Sequence, residues 1–356
     1  MRICIFNWRD EENPAAGGAE VYTHEVAAHW VSNGHTVTIV AAGFKGAAKL
    51  TTRPDGVVVE RVGNKYTVYN KARAWWAATG HTRGFDVVID EVNTRPFLAH
   101  QWVKGVPVVA FAHQVCREVW WYQAPLPVAL VGRFIFEPWW LSRLSKQPTV
   151  TVSLSSKVSL ERYGVTDVRV IPEGGNMPSA QTDVVSNVPT VVFVGRLVGA
   201  KRPSHAIRAF EHARVLVPKA QMWVIGSGPK LARLTKNAPP GVFMLGRVSL
   251  EERNSRVAQA TALVATSVRE GWGLVVSEAA AVGTVTVGYD VPGLRDSIMA
   301  SGGVLAPADP VLLGEVLAQT LLATKRPQPT ASGVEPWSVV ADRFMCELVQ
   351  ITNTQT

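Results

Sequence analysis

One pattern constrains this chain more than any other: a short β-rich run, a glycine-bearing loop, apolar residues at helical spacing, then a second β-rich run. It occurs first as RICIFNW (2–8), the polar loop RDEENPAAGG, and Ala19, Tyr22, Val26, Ala27 and Trp30 at helical spacing, stopped by Gly34 before TVTIVAA (36–42). It returns as TVVFVGRLV (190–198), a helical stretch from Ser204 to Val217 and QMWVIGSG (221–228). A third copy runs ALVATS (262–267), VREGWG, a helix from about Gly273 to Val282, and TVTVGY (284–289). Strands joined through helices pair in parallel, so both halves read as α/β, each a doubly wound parallel sheet with helices on both faces. Ligands in such sheets bind beyond the carboxyl ends of the strands, which directs attention to the strand-to-helix loops of two domains facing across a cleft.

A chain of 356 residues can bury two sizeable cores. The segment PEGGNMPSAQTDVVSNVP (172–189) is rich in turn formers and marks the boundary; a second break, KRPQPTASGVEP (325–336), precedes a final helical segment. Hydrophobic residues make up 47% and charged residues 18%, which excludes disorder as the main state. The net charge of +8 is spread over both halves without a basic tail or Lys/Arg block, so no nucleic acid partner is expected. Cys4, Cys116 and Cys346 are far apart and in no metal-ligand spacing; they read as reduced thiols in an intracellular protein. The longest apolar runs, GVPVVAFA (105–112) and PLPVALVG (125–132), fall short of the roughly 18–20 residues of a membrane span. MRICIFNW enters a strand directly, without a leader-like segment, and the expected location is cytoplasmic.

Three loops carry candidate chemistry. Arg196 and Lys201 flank Gly199 at the entrance to a helix, where a guanidinium fork, an ammonium and helix N–H groups would suit a diphosphate; an ordinary solvated basic turn is the competing reading. Gly226 and Gly228 end the next strand and permit close backbone approach, or simply make a tight turn. In VREGWGLVVSEAAAVG (268–283), Glu270 precedes a helix in a glycine loop and Glu278 lies two turns inside it. A carboxylate at that depth can accept hydrogen bonds from a ribose diol while the loop carboxylate reaches a sugar hydroxyl; two surface acids are the alternative.

EGWGLVVSE resembles the E-x7-E signature of retaining GT-B glycosyltransferases, in particular glycosyltransferase family four. PAAGGAE (14–20) is similar to that family's first glycine loop, VFVGRLVGAK (192–201) to its diphosphate loop, VIGSGP (224–229) to its next strand end, and MLGRVSLEE (244–252) to the segment bordering the nucleotide base. The resemblance implies two Rossmann-like doubly wound parallel-sheet domains facing across a cleft (GT-B). Residues 1–172, completed by a C-terminal helix over 337–350, would form the acceptor domain, 173–189 the linker and 190–334 the donor domain. It further implies a nucleoside diphosphate sugar as donor, with Arg196 and Lys201 on the diphosphate, Glu278 on the ribose and Glu270 on the sugar near the reacting centre. The Gly271, Trp272, Gly273 and Leu274 backbone would lie beside the phosphate, Gly18 would approach from the opposite domain, and Gly226, Arg247 and Val248 would complete the donor site. His113, after the strand VPVVAFA, reads by itself as a structural histidine at a strand end, but it falls where such enzymes carry a histidine close to the anomeric carbon. The interdomain segment departs from the usual pattern: it reads IPEGGN (171–176), with Glu173 and Asn176 where Asn and Asp are commoner.

The implied reaction transfers a hexosyl-type sugar to an acceptor hydroxyl of a glycan, lipid-linked sugar or small molecule with retention of configuration, without a metal or other cofactor. Nine of the 12 Trp fall between Trp8 and Trp140, including the tandem pairs Trp75-Trp76, Trp120-Trp121 and Trp139-Trp140. Adjacent rings on one helix cannot both face a core, so some are expected at a rim; the plain reading is large residues filling helix-to-sheet gaps, and the sharper ones are an acceptor wall (Trp120, Trp121) or a basic-aromatic patch resting on the inner face of the cytoplasmic membrane. Asp10-Glu11-Glu12 reads as a solvated turn, with Glu11 a candidate for recognising a cationic acceptor such as an amino sugar. A nucleotide-sugar epimerase on the same fold, or a noncatalytic nucleotide- or membrane-binding protein, would share parts of this pattern.

Overall fold

A computed structural model describes residues 1–175, 186–323 and 334–355. Asn176 and most of the expected linker lie outside these residues. The chain divides into two compact units, one of residues 1–117, 130–174 and 336–356, the other of 118–129 and 175–335.

The first unit is built on eight strands: β1 (Arg2–Phe6), β2 (Thr36–Ala41), β3 (Leu50–Thr52), β4 (Val58–Arg61), β5 (Val87–Val92), β6 (Val108–Ala112), β7 (Thr149–Thr151) and β8 (Val168–Val170). Their order is β3-β4-β2-β1-β5-β6-β7-β8, parallel throughout except for the edge pair β3–β4. Because side chains alternate along a strand, β1 sends Cys4 and Phe6 into one layer with Val68, Ala72 and Trp76, and Ile5 to the opposite face beside Tyr22 and Trp30. The helix Trp337–Gln355 covers that second face: Trp30 Nε1 donates to the Ala341 carbonyl at 2.9 Å and stacks edge-on to Phe344 at 5.3 Å.

The second unit holds β9 (Thr190–Val194), β10 (Gln221–Ile225), β11 (Val242–Gly246), β12 (Ala262–Ala265), β13 (Val285–Tyr289) and β14 (Val304–Ala306), all parallel, in the order β11-β10-β9-β12-β13-β14. Val191, Phe193, Met222 and Val224 pack under the helices Pro203–Leu216 and Pro310–Leu322. Val192, Trp223 and Ile225 face the helices Leu250–Gln259 and Leu274–Ala281. Each sheet therefore buries both surfaces, as parallel sheets must. Strand order reverses between β1 and β5 in one unit and between β9 and β12 in the other. At such points adjacent connections leave in opposite directions and open a crevice.

Two sequence expectations are corrected here. Trp75 and Trp76 both pack inward, each 6.1 Å from Phe6 and both against Phe85. Gly80 makes this possible, since a Cβ there would lie 2.7 Å from one indole and 2.8 Å from the other. Residues 118–129, counted with the N-terminal half in the sequence, pack in the second unit, where Tyr122 lies against Gly199 and accepts a hydrogen bond from Arg202 at 3.0 Å.

Candidate active site

The second unit gathers its candidate residues at the β9/β12 reversal. Beyond β9 the chain makes a short turn, Gly199–Lys201, and enters its helix through Arg202 in the left-handed region at φ 48°. The Thr266 hydroxyl holds that conformation by donating, at 3.0 Å, to the Lys201 and Arg202 carbonyls, while the Val268 amide takes the Ala200 carbonyl at 2.8 Å. The β9 loop is thus pinned to the loop after β12, and Lys201 Nζ donates to Glu270 Oε1. Ser267 donates to the same carboxylate oxygen at 2.5 Å. The pair is half-open, with side-chain exposures of 28% for Lys201 and 14% for Glu270. Arg196 is exposed, and its side chain makes no hydrogen bond or ion pair among the described residues, although its carbonyl accepts from the Val198 amide at 2.9 Å.

Close backbone packing shapes the loop around Glu270. The Glu270 amide donates to the Pro292 carbonyl at 3.1 Å, and Gly293 (φ +83°) passes so near that a Cβ would sit 2.1 Å from the Glu270 carbonyl oxygen. Gly271 is buried, and Gly273, left-handed at φ 99°, starts the helix Leu274–Ala281, whose first amides have no intrahelical partner. Trp272 turns inward, its indole N–H on Ser277 Oγ at 2.8 Å, so it anchors the loop and presents only backbone. Glu278 is half-buried and accepts from Arg253 at 3.0 Å. Gly226 packs against the end of β9, where a Cβ would meet the Gly195 carbonyl oxygen at 1.9 Å, and its amide donates to Gly246 at 2.7 Å. Arg247 is exposed and Val248 half-buried beside the layer containing Trp223.

In the first unit the β1/β5 reversal carries a different cluster. Gly18 is exposed at the first residue of the helix Gly18–Ser32, whose start is set by Glu20: its carboxylate accepts from the Gly17 amide at 2.7 Å and from Arg9 at 3.0 Å. His113, at the end of β6, is 4% exposed. Its Nε2 meets Glu91 Oε2 at 2.9 Å, and the other Glu91 oxygen accepts from Thr23 at 2.5 Å. Burial disfavours a charged ring, but the charge and hydrogen bond of Glu91, with Glu173 and Glu20 further off, outweigh it and raise the His113 pKa above its ordinary value.

Asp10-Glu11-Glu12 is not a free solvated turn. Arg61 grips Asp10 with two hydrogen bonds, 2.8 and 2.9 Å, and reaches Glu12 at 2.8 Å; Arg53 sits 3.1 Å from Glu11. Glu11 is committed to an internal ion network in this structure. Trp120 and Trp121, the sequence's acceptor wall, belong to the second unit with residues 118–129, where Glu118 accepts from Arg269 at 2.8 Å. Sequence reading missed Thr266, Ser267, Arg253, Gly293, Thr23 and Glu91. Only Gly293, in the turn-forming VPG, had a local signal.

Two parallel α/β units with glycine-rich strand-end loops at their switch points define the architecture of a GT-B protein. Residues 16–176 match the family model described as Glycosyltransferase Family 4, and residues 179–326 that described as Glycosyl transferases group 1. The chain belongs to glycosyltransferase family four, and its activity class is that of a nucleotide-sugar glycosyltransferase. It is 24% identical over 349 residues to glycogen synthase of Mycobacterium tuberculosis, covering 87% of this chain and 83% of that protein. Its fold is similar to sucrose-phosphate synthase from Thermosynechococcus elongatus (TM-score 0.74, 18% identity, 99% of each chain). It is also similar to HepE of Anabaena in complex with UDP and glucose (TM-score 0.70, 17% identity, 100% of each) and to WaaG, a glycosyltransferase involved in lipopolysaccharide biosynthesis (TM-score 0.69, 15% identity, 99% and 98%).

Proposed function

We propose that this protein transfers a hexosyl-type sugar from a nucleoside diphosphate sugar to an acceptor hydroxyl with retention of configuration and without a metal or other cofactor. The observation that carries this reading is the Lys201–Glu270–Ser267 cluster, held at the β9/β12 switch point by Thr266. Breaking a glycosyl phosphate bond builds negative charge on the departing diphosphate and positive charge on the ring. Arg196, Lys201 and the Gly271–Leu274 amides serve the first, Glu270 the second. Glu278 takes the ribose hydroxyls, sharing them with or surrendering Arg253. Gly226, Arg247 and Val248 border the base, Gly18 offers backbone to the diphosphate, and His113 meets the sugar. A phosphate oxygen of the leaving group accepts the acceptor proton.

The ion pair also orders the events. Glu270 is paired with Lys201; a diphosphate competes for that ammonium and releases the carboxylate for the sugar. Thermal-shift measurements with UDP, GDP, ADP and TDP test the donor assignment: at a concentration of about 100 Kd the cognate diphosphate adds about 2.7 kcal/mol of stability. Absence of a shift with all four overturns it. Full turnover in chelator is expected, and strict dependence on Mg²⁺ or Mn²⁺ overturns the metal-free reading. Product analysis from one nucleotide sugar with and without acceptor separates transfer from epimerisation.

The acceptor reading includes contact with the inner face of the cytoplasmic membrane. Among the described residues no helix is long and apolar enough to cross a membrane. Phe134, Ile135, Phe136 and Trp139 are nevertheless 46–61% exposed along one short stretch, with the Arg143 guanidinium 4.2 Å above the Trp139 ring. Apolar rings beside cations fit the interface of an anionic bilayer. Flotation with phosphatidylglycerol vesicles but not with phosphatidylcholine, lost in Phe134→Ser/Ile135→Ser, is the expected result.

A further inference from the structure

We propose that Glu91, held in place by Thr23, is a positioning residue for His113: it accepts the Nε2–H hydrogen bond, so that Nδ1 is the ring atom left to meet an oxygen of the donor sugar. This inference rests on the reading of His113 given above, and assigns a role to two residues outside the family signature segments.

The geometry is a three-member chain across three elements. Thr23 on the helix Gly18–Ser32 donates to Glu91 Oε1 at 2.5 Å, and Glu91 Oε2 at the end of β5 accepts from His113 Nε2 at 2.9 Å. All three residues are buried. A carboxylate can only accept, so a 2.9 Å contact fixes the proton on Nε2 in either charge state of the ring. The ring cannot swivel to exchange its nitrogens, because Phe111 lies 4.3 Å from it and Tyr22 meets it edge-on at 5.5 Å. His113 Nδ1 is buried with no hydrogen-bond partner among the described residues, and Glu173 Oε1 stands 4.0 Å away. A buried polar atom without a partner costs about 1–3 kcal/mol, a penalty that an incoming hydroxyl or phosphate oxygen removes. The ionisable groups around the ring are Glu91 from β5, Glu173 after β8, and Glu20 and Tyr22 from the first helix. These carboxylates favour the charged ring, in which Nδ1 donates to a substrate oxygen; in the neutral ring the same atom accepts from a substrate hydroxyl.

Histidine-selective ¹⁵N NMR on the full chain, with His113 assigned by its loss in His113→Gln, tests this directly. In the wild type Nε2 stays protonated through neutral pH, and the ring titrates above about 6.5. Finding Nε2 unprotonated overturns the proposal without any variant, so the test survives if Glu91→Gln fails to fold. In Glu91→Gln the midpoint falls by about one on the pH scale or more, whereas Glu173→Gln, at the longer distance, moves it less. An unmoved midpoint in Glu91→Gln, or a larger fall in Glu173→Gln, overturns the assignment. The basic limb of the kcat/KM profile in Glu91→Gln is expected to follow the ring downward. If the ring moves and the limb does not, the positioning role in turnover falls. The donor-site reading is judged separately, by whether Lys201→Ala loses affinity for the nucleoside diphosphate.

Discussion

Both units place a basic side chain against a carboxylate at a topological switch point, yet the two pairs differ in exposure and in what they can do. Lys201 and Glu270 meet in a half-open loop, where an ion pair is worth only about 0–1 kcal/mol because water solvates either partner once they separate. A diphosphate can therefore claim Lys201 at little cost. His113 and Glu91 meet in a dry layer, and removing one member of such a pair strands a buried charge at a cost of about 3–5 kcal/mol. The first arrangement suits ligand exchange and the second fixed geometry. One fold supplies both, because the loops after β9 and β12 are glycine-rich turns while the second cluster hangs on the ends of β5, β6 and a helix.

The sharpest way to break this contrast is to remove Glu270. Glu270→Ala should lower kcat by about 10²–10³, the cost of losing one transition-state electrostatic partner. Glu270→Gln should lose turnover as well but bind the free nucleoside diphosphate more tightly than wild type, since Lys201 no longer has a carboxylate to leave. Calorimetric titration checks this, and weaker binding by the Gln variant would mean that the pair preorganises the site instead of competing with the ligand.

Backbone substitutions probe the same contrast through packing. Gly293→Ala should cost about 2–4 kcal/mol in urea unfolding, because a left-handed φ of +83° is compounded by a Cβ 2.1 Å from the Glu270 carbonyl oxygen. Gly34→Ala in the first unit shares that φ but meets nothing within 4 Å, so only the conformational cost of about 1 kcal/mol applies. Equal losses would show that the loop around Glu270 can relax, and would weaken the case for a preorganised site.

These differences explain what was readable in the chain. The alternation of strand and helix, the doubly wound layering and the loops holding Arg196, Lys201, Glu270 and Glu278 follow from local grammar, since each loop lies between its own strand and helix. Partners distant in sequence do not. Nothing beside Asp10 or Glu11 announces Arg61 or Arg53, brought in from β4 and the turn before it. Nothing in WW at 75–76 announces that Gly80 clears room for both rings. Thr23, Glu91 and His113 come from three elements and have no spacing to read. Ser267 and Thr266 look like ordinary strand-end residues until the β9 loop is packed against them.

A smaller effect is expected at Glu278. Glu278→Ala should raise the donor KM about tenfold with kcat nearly unchanged, the signature of binding lost equally from ground and transition states. The structure adds a refinement: Arg253, paired with Glu278 at 3.0 Å, loses that partner in the variant. Because both groups are partly exposed, freeing Arg253 costs little, and Arg253→Ala alone should leave KM within about threefold of wild type. A large KM effect in Arg253→Ala would place the guanidinium, not the carboxylate, on the nucleotide.

The gentlest probe is the pH dependence of stability. The folded His113 has its pKa raised above the ordinary value, because the carboxylate of Glu91 overcomes the penalty of burial. The native state then holds a proton that the unfolded chain releases, so the pair's contribution is fully present below about pH 6.5 and is lost as pH rises through the folded value. The stability difference between wild type and His113→Gln, from urea melts, should therefore narrow from pH 6 to pH 8. A gap that stays constant would mean that the ring is held as a neutral, packed group. The contrast between an exchangeable pair in one unit and a fixed charged pair in the other would then reduce to a contrast between charge and packing.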